Sequence, residues 1–242
     1  MSLEPYEYRH GGVRLIGQLA VPEGPGPHPG VLVMNDARGQ GALVRERAQR
    51  LARQGYMALA TDMYGDGALY ENALEGGAVM QALHAEPDRL RERVLINFEA
   101  LRSLEDVDGA RIGAIGFCFG GECVLDLARA GADVRAVVSY HGLLTTERPA
   151  RKDGVKAHVA IYAGGNDPYA PPEHIEGFRE EMEAAAAVCD VTVFGEAFHS
   201  FTDPSAGTMT NIPGVKYDPV ADRVSWLGTV GLLEEKLKIA VS

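Results

Sequence analysis

Cysteine is scarce: three residues in the chain, an odd number with no Cys-x-x-Cys pair, which excludes a disulfide framework and a zinc knuckle. No His-Glu-x-x-His run supports a zincin, and no metal or cofactor is expected. Long apolar runs are missing as well, and none approaches the roughly 18 residues of a membrane span. Basic residues are few, 23 Lys and Arg against 34 Asp and Glu, so the formal charge is -11. Without a basic stripe, nucleic acid is a poor partner. Residues 1–12 are polar and aromatic and lack an apolar signal core, so the expectation is a cytoplasmic chain with free thiols. Repeats and low-complexity segments are absent.

What remains is ordinary globular material, 46% hydrophobic and 24% charged. A chain of 242 residues buries enough surface for one large core, so a single domain over 1–242 is expected. Runs rich in Val, Ile and Leu at Leu15–Val21, Val31–Asn35, Met57–Asp62, Arg111–Phe117, Val134–Tyr140, His158–Ala163 and Val191–Phe194 read as strands. The last four are short and nearly unbroken apolar, as strands buried on both faces should be. Between them lie helical stripes: Val44, Ala48 and Leu51; Leu90, Val94, Phe98, Leu101 and Leu104; Ile175, Phe178, Met182 and Ala185; Val220, Val224, Leu227 and Val230. Each is expected to face the sheet. Strands alternating with helices specify an α/β class with a mostly parallel sheet and helices on both faces. Residues 22–30, rich in Pro and Gly, read as a surface turn. Residues 64–85 are broken by Gly65, Gly67, Gly76 and Gly77 into short pieces, and following a strand's carboxyl end they form either a cap over a site or a plain surface loop.

The segment 111–122, Arg-Ile-Gly-Ala-Ile-Gly-Phe-Cys-Phe-Gly-Gly-Glu, reads as a buried strand passing through Cys118 into a helix. This is a nucleophile elbow with cysteine in the nucleophile's place. The sharp turn brings the backbone on either side too close for side chains, which Gly116 and Gly120 satisfy. The following helix aims its N–H groups at Cys118, favouring a thiolate, and the Phe119 N–H is placed to bind an oxyanion. The base and its orienting acid should follow in chain order, and Asp167 and His199 occupy successive strand ends. The plain alternatives are a structural cysteine, a turn aspartate and a loop histidine. A second oxyanion donor is expected in the loop after Asn35, at the Ala37 N–H. There Asp36 is placed to hold the resting thiol or to accept from Arg38. His141 should line the same face of the sheet, whereas His10, His28, His84, His158 and His174 are read as solvated or capping.

Three motifs, Gly116-Phe117-Cys118-Phe119-Gly120-Gly121, Gly165-Asn166-Asp167-Pro168 and His199-Ser200-Phe201, with Asp62-Met63-Tyr64-Gly65 in support, give the chain a resemblance to the dienelactone hydrolase family of the α/β-hydrolase superfamily. The resemblance runs over nearly the whole length. It implies the α/β-hydrolase fold, a Cys118-His199-Asp167 triad and an oxyanion hole from Phe119 and Ala37. It also implies an acid in the first loop that meets the resting cysteine, where Asp36 stands. Tyr64, Phe201, Asp36, Arg38 and His141 are taken as substrate-binding or auxiliary residues. Members of the family hold a substrate carboxylate with two arginines, one shortly after the catalytic histidine. Here Asp203 occupies that place and no arginine lies between Tyr64 and Asp88, so neutral substrates are expected. The reading is hydrolysis of neutral esters or lactones, with activated phosphotriesters as the alternative at the same site, by a monomer or homodimer. A thiol redox protein, in which Cys123 would have to resolve, and a non-catalytic binding protein are the competing classes.

Overall fold

The first strand comes from residues that look like a polar tail. In the computed structural model, which describes residues 2–71, 73–208 and 212–238, β1 (Leu3–His10) pairs antiparallel with β2 (Val13–Ala20) in register Leu3 to Ala20 through His10 to Val13. Gly11, at φ +56, turns the hairpin. This strand was not expected, because its alternation runs through Glu, Tyr and Arg rather than through aliphatic residues. Tyr6 and Tyr8 supply its inner side, their hydroxyls reaching the Ala100 carbonyl and Asn97 of a later helix.

The rest of the sheet comprises β3 (His28–Met34), β4 (Met57–Ala60), β5 (Val107–Phe117), β6 (Ala136–Tyr140), β7 (His158–Gly164) and β8 (Cys189–Phe194). The spatial order is β1-β2-β4-β3-β5-β6-β7-β8, antiparallel across β1, β2 and β4 and parallel from β4 to β8. β3, β5 and β6 are buried on both faces, as their unbroken apolar runs require. The expectation fails for β8. It is an edge strand with half-exposed alternation and an exposed Val193, because nothing covers its outer side among the described residues.

Helices α1 (Ala42–Arg53), α2 (Ala73–His84), α3 (Pro87–Arg102), α4 (Phe119–Arg129), α5 (Pro172–Ala184) and α6 (Pro219–Leu237) flank the sheet. One apolar cluster packs α3, α4 and α5 on one face, while a second joins α1 and α6 on the other. Two expectations need correction. Most of the stripe expected for α6 faces solvent: Val220, Val224 and Leu227 are exposed, Val230 packs partly against the core, and the helix buries Ala221, Ser225, Trp226, Thr229 and Leu233. Ser225 and Thr229 tolerate burial because their hydroxyls donate to the carbonyls of Ala221 and Ser225 one turn back. Trp226 is core, beneath the guanidinium groups of Arg47 and Arg50.

The second correction concerns α2. It is a continuous 12-residue helix, with Gly76 and Gly77 inside it. Gly76 serves a close approach, since a Cβ there would lie 2.6 Å from the Ala37 carbonyl oxygen. The glycine that looked like a helix breaker lets the helix settle on the loop after β3.

Candidate active site

Cys118 stands between β5 and α4 with φ 54 and ψ -115, a conformation an L-residue holds only when its surroundings impose it. Two crossings impose it. A Cβ on Gly116 would lie 1.9 Å from the Gly120 carbonyl oxygen, and one on Gly120 would lie 2.2 Å from that of Met34. Strand and helix thus meet at a distance only glycine permits. The Cys118 N–H donates to the Tyr140 carbonyl at 3.0 Å and toward His141 Nδ1 at 3.2 Å. Phe119 opens α4, and among the described residues no acceptor meets its N–H or that of Ala37.

Asp167 follows β7 and His199 follows β8, each in the loop that leaves the strand's carboxyl end. Asp167 Oδ2 accepts from His199 Nδ1 at 2.8 Å, while Oδ1 accepts the Tyr169 N–H at 2.8 Å. The histidine loop is clamped by the returning chain: His199 N–H donates to the Gly214 carbonyl, and Lys216 N–H donates to the His199 carbonyl. Both side chains are buried. Burial opposes a charged ring on His199, but the charge on Cys118, the hydrogen bond with Asp167 and the hydrogen bond with Cys118 outweigh it. The imidazole is pushed up to about 10. Cys118 and His199 open onto a cavity of about 310 Å³, walled by Leu74 and Met80 of α2 and by Leu143, Tyr169, Pro213 and Val215. The segment after β4 is therefore a cap over the site.

The remaining residues divide into those that line the cavity and those that stand behind it. Asp36, Ala37 and Arg38 line it. Asp36 accepts from Arg38, its Oδ1 from the backbone N–H at 2.8 Å and its Oδ2 from Nη2 at 3.0 Å. Of its two expected roles, the structure forms the bond to Arg38. Tyr64, His141 and Phe201 do not line the cavity. The loop bearing Tyr64 is shaped by Asp62, whose carboxylate collects the N–H groups of Ile16, Tyr64, Gly65 and Gly67. Tyr64 stacks on Phe119 and donates its hydroxyl to the Ala37 carbonyl at 3.0 Å. His141 is wholly enclosed, and burial together with the charge of His199 pushes its pKa far down. Phe201 is fully buried against His141 and Phe194. All three pack behind the residues that line the cavity.

Tyr169 is a cavity residue that sequence reading missed, along with Leu74, Met80, Leu143, Pro213 and Val215. Its ring stands edge-on to His199 at 4.8 Å, and its position two residues after Asp167 was the available signal. His84, expected to be solvated or capping, pairs with Glu122 at 2.8 Å, tying α2 to α4, and that bond raises its pKa. No helix among the described residues is long and apolar enough to cross a membrane.

An elbow cysteine, an enclosed Asp-His pair and a capped cavity thus lie together at the carboxyl ends of the parallel strands. A family model described as the dienelactone hydrolase family matches residues 15–237. The chain belongs to the dienelactone hydrolase family. Its fold is the α/β-hydrolase fold. A dienelactone hydrolase-like promiscuous phosphotriesterase from metagenomic libraries superposes with a TM-score of 0.93 at 36% identity, over 97% of this chain and 98% of that one. A solved protein named m3DLH gives a TM-score of 0.91 at 33% identity, over 98% and 99%. A Yersinia pestis protein provisionally named carboxymethylenebutenolidase is 31% identical over 190 residues, 73% of this chain and 69% of the relative.

Proposed function

We propose that this member of the dienelactone hydrolase family hydrolyses neutral esters or lactones through Cys118, His199 and Asp167. The observation that carries the reading is the set itself: a strained cysteine at a helix amino terminus, opening onto the same cavity as a buried histidine whose Nδ1 is bonded to a buried aspartate. His199 takes the thiol proton of Cys118, giving the attacking thiolate beside an imidazolium. The thiolate attacks the acyl carbon, and the developing oxyanion is held by the Phe119 and Ala37 N–H groups. As the tetrahedral adduct collapses, His199 Nε2 protonates the departing alkoxide, leaving a thioester. The now neutral His199 takes a proton from water, whose oxygen attacks the thioester. Collapse then releases the acid and restores the thiolate beside the imidazolium. Asp167 keeps the hydrogen on Nδ1 throughout and supports the ring's charge. The cycle balances with water alone.

Activated phosphotriesters are the second reading. The relative that superposes at a TM-score of 0.93 is a promiscuous phosphotriesterase, and the same thiolate and N–H groups would serve phosphorus as they serve carbon. A redox role gains no support, since Cys123 is fully buried within α4 and burial pushes its thiol up. The proposal includes a small-molecule substrate, a single domain over 1–242, a cytoplasmic setting that keeps Cys118 reduced, and action as a monomer or homodimer.

The test is hydrolysis of a short-chain neutral aryl ester by the wild type and Cys118→Ala in reducing buffer. Loss of a hundredfold or more in the variant supports the thiol mechanism. Equal rates, or none in either protein, overturn it. Phosphotriester turnover that vanishes with ester turnover in Cys118→Ala places both at one site.

A further inference from the structure

Arg38 is the one guanidinium among the described residues that line the cavity, and it is not free. Its Nη2 donates to Asp36 Oδ2 at 3.0 Å and to Asp203 Oδ2 at 2.6 Å, with Nη1 3.5 Å from the Ser205 hydroxyl. Asp203 stands outside the cavity lining and is held rigidly. Its Oδ1 accepts both the backbone N–H and the hydroxyl of Ser205, and its own N–H donates to the Ser200 carbonyl. The acid is therefore built into the turn that leaves His199 and projects across to the loop after β3. Two carboxylates around one guanidinium leave this wall of the cavity with a net charge of about -1, by simple counting of unit charges. The other basic group at the site, His199, is engaged with Asp167 through Nδ1.

We propose that Asp203 is a specificity-determining residue: by holding Arg38 against Asp36 it withholds the cavity's guanidinium from substrate, so that the site takes neutral acyl groups and rejects carboxylate-bearing ones. The inference rests on the esterase reading above and deepens it. A carboxylate brought into this cavity meets on one side the Asp36-Arg38 wall, whose guanidinium is already held by Asp36 and Asp203, and elsewhere apolar walls at Leu74, Met80 and Val215. Its lost hydration is not replaced. Removing the charge of Asp203 brings the wall to neutrality and frees one N–H of Arg38 to bind an anion.

The experiment compares two substrates on each protein preparation: the 4-nitrophenyl monoester of adipic acid, which carries a free carboxylate, and the same ester with that carboxyl methylated. The wild type is expected to favour the methylated ester by about tenfold or more in kcat/KM, the discrimination that one charge contact at a partly buried site supplies. Asp203→Asn keeps an oxygen for the Ser205 contacts and removes the charge. Its preference for the methylated ester is expected to shrink by about tenfold. Adding Arg38→Met to it should restore the preference. Because the readout is a ratio within one preparation, partial loss of folded protein does not distort it. Equal kcat/KM for the two esters in the wild type overturns the proposal before any variant is made, and so does an unchanged ratio in Asp203→Asn.

A second arm titrates benzoate and benzamide into the wild type and Asp203→Asn by calorimetry, which needs no turnover. If neither ester is hydrolysed by the wild type, the esterase reading fails, and calorimetry still decides the charge preference. Tighter benzoate binding in Asp203→Asn supports the proposal, and unchanged binding overturns it.

Discussion

His141 Nδ1 lies 3.2 Å from the backbone nitrogen of Cys118, and its ring stands edge-on to that of His199 with 5.1 Å between centres. Nδ1 accepts an N–H, so it carries no hydrogen, and the ring's proton is on Nε2, donated to Thr202 Oγ1 at 2.8 Å. His141 is thereby a neutral support one residue past the end of β6. A cation there would lose its bond to Cys118 and repel the imidazolium of His199.

His141→Phe should fill the space without accepting the Cys118 N–H. We expect kcat to fall by about tenfold, the value of roughly one hydrogen bond, with KM nearly unchanged. His141→Asn should recover part of the loss, because its Oδ1 can stand where Nδ1 stands and asparagine tolerates the φ of 39 found there. Steady-state kinetics on both variants checks this. Equal loss in the two would mean that packing, not the acceptor, matters.

The pH profile should reflect His199. A ring pushed from 6.5 to about 10 keeps its proton through neutrality and loses it as pH rises through about 10, so activity should persist into the alkaline range and fall only there. Asp167→Asn removes part of what raises the ring. Its alkaline limb should therefore move to lower pH, and kcat at neutral pH should drop by about 10²- to 10⁴-fold. A kcat/KM profile from pH 6 to 11 on both proteins decides it, and an unmoved limb would count against the Asp167-His199 linkage.

Tyr64→Phe keeps the ring stacked on Phe119 and deletes only the hydroxyl that holds the Ala37 carbonyl. Loosening that peptide should lower kcat by about three- to tenfold through weaker oxyanion binding, with little change in KM. A rise in KM alone would instead assign Tyr64 to substrate binding.

Glycine replacements should separate sharply in stability. Gly120→Ala places a Cβ 2.2 Å from the Met34 carbonyl oxygen, a backbone contact that cannot yield, and should cost about 3 kcal/mol or more or prevent folding. Gly231→Ala in α6 meets nothing within 4 Å and should stabilise by about 0.5–1 kcal/mol. Thermal unfolding of the two variants beside the wild type provides the comparison.

Features decided by near neighbours were legible in the chain. The elbow is one in part, because Gly116 answers to the Gly120 carbonyl four residues on, whereas Gly120 itself answers to Met34 of β3. The parallel strands are another, since β5 and β6 are buried on both faces and carry that fact as unbroken apolar runs. The strands β7 and β8, whose ends carry Asp167 and His199, were readable in the same local way.

Tertiary structure alone decided which side of α6 is buried, because both of its sides carry apolar residues. Ser225 and Thr229 go inward by satisfying their hydroxyls on the helix's own carbonyls, a choice no period reveals. It also made β1 a strand by giving Tyr6 and Tyr8 partners on α3, and it turned Phe201 and His141 behind the cavity. Above all it brought Asp203 to Arg38 across 165 residues of chain. A charge pair between distant loops leaves no spacing in the sequence, since it exists only once the folded sheet has brought the loops after β3 and β8 together across the intervening strands.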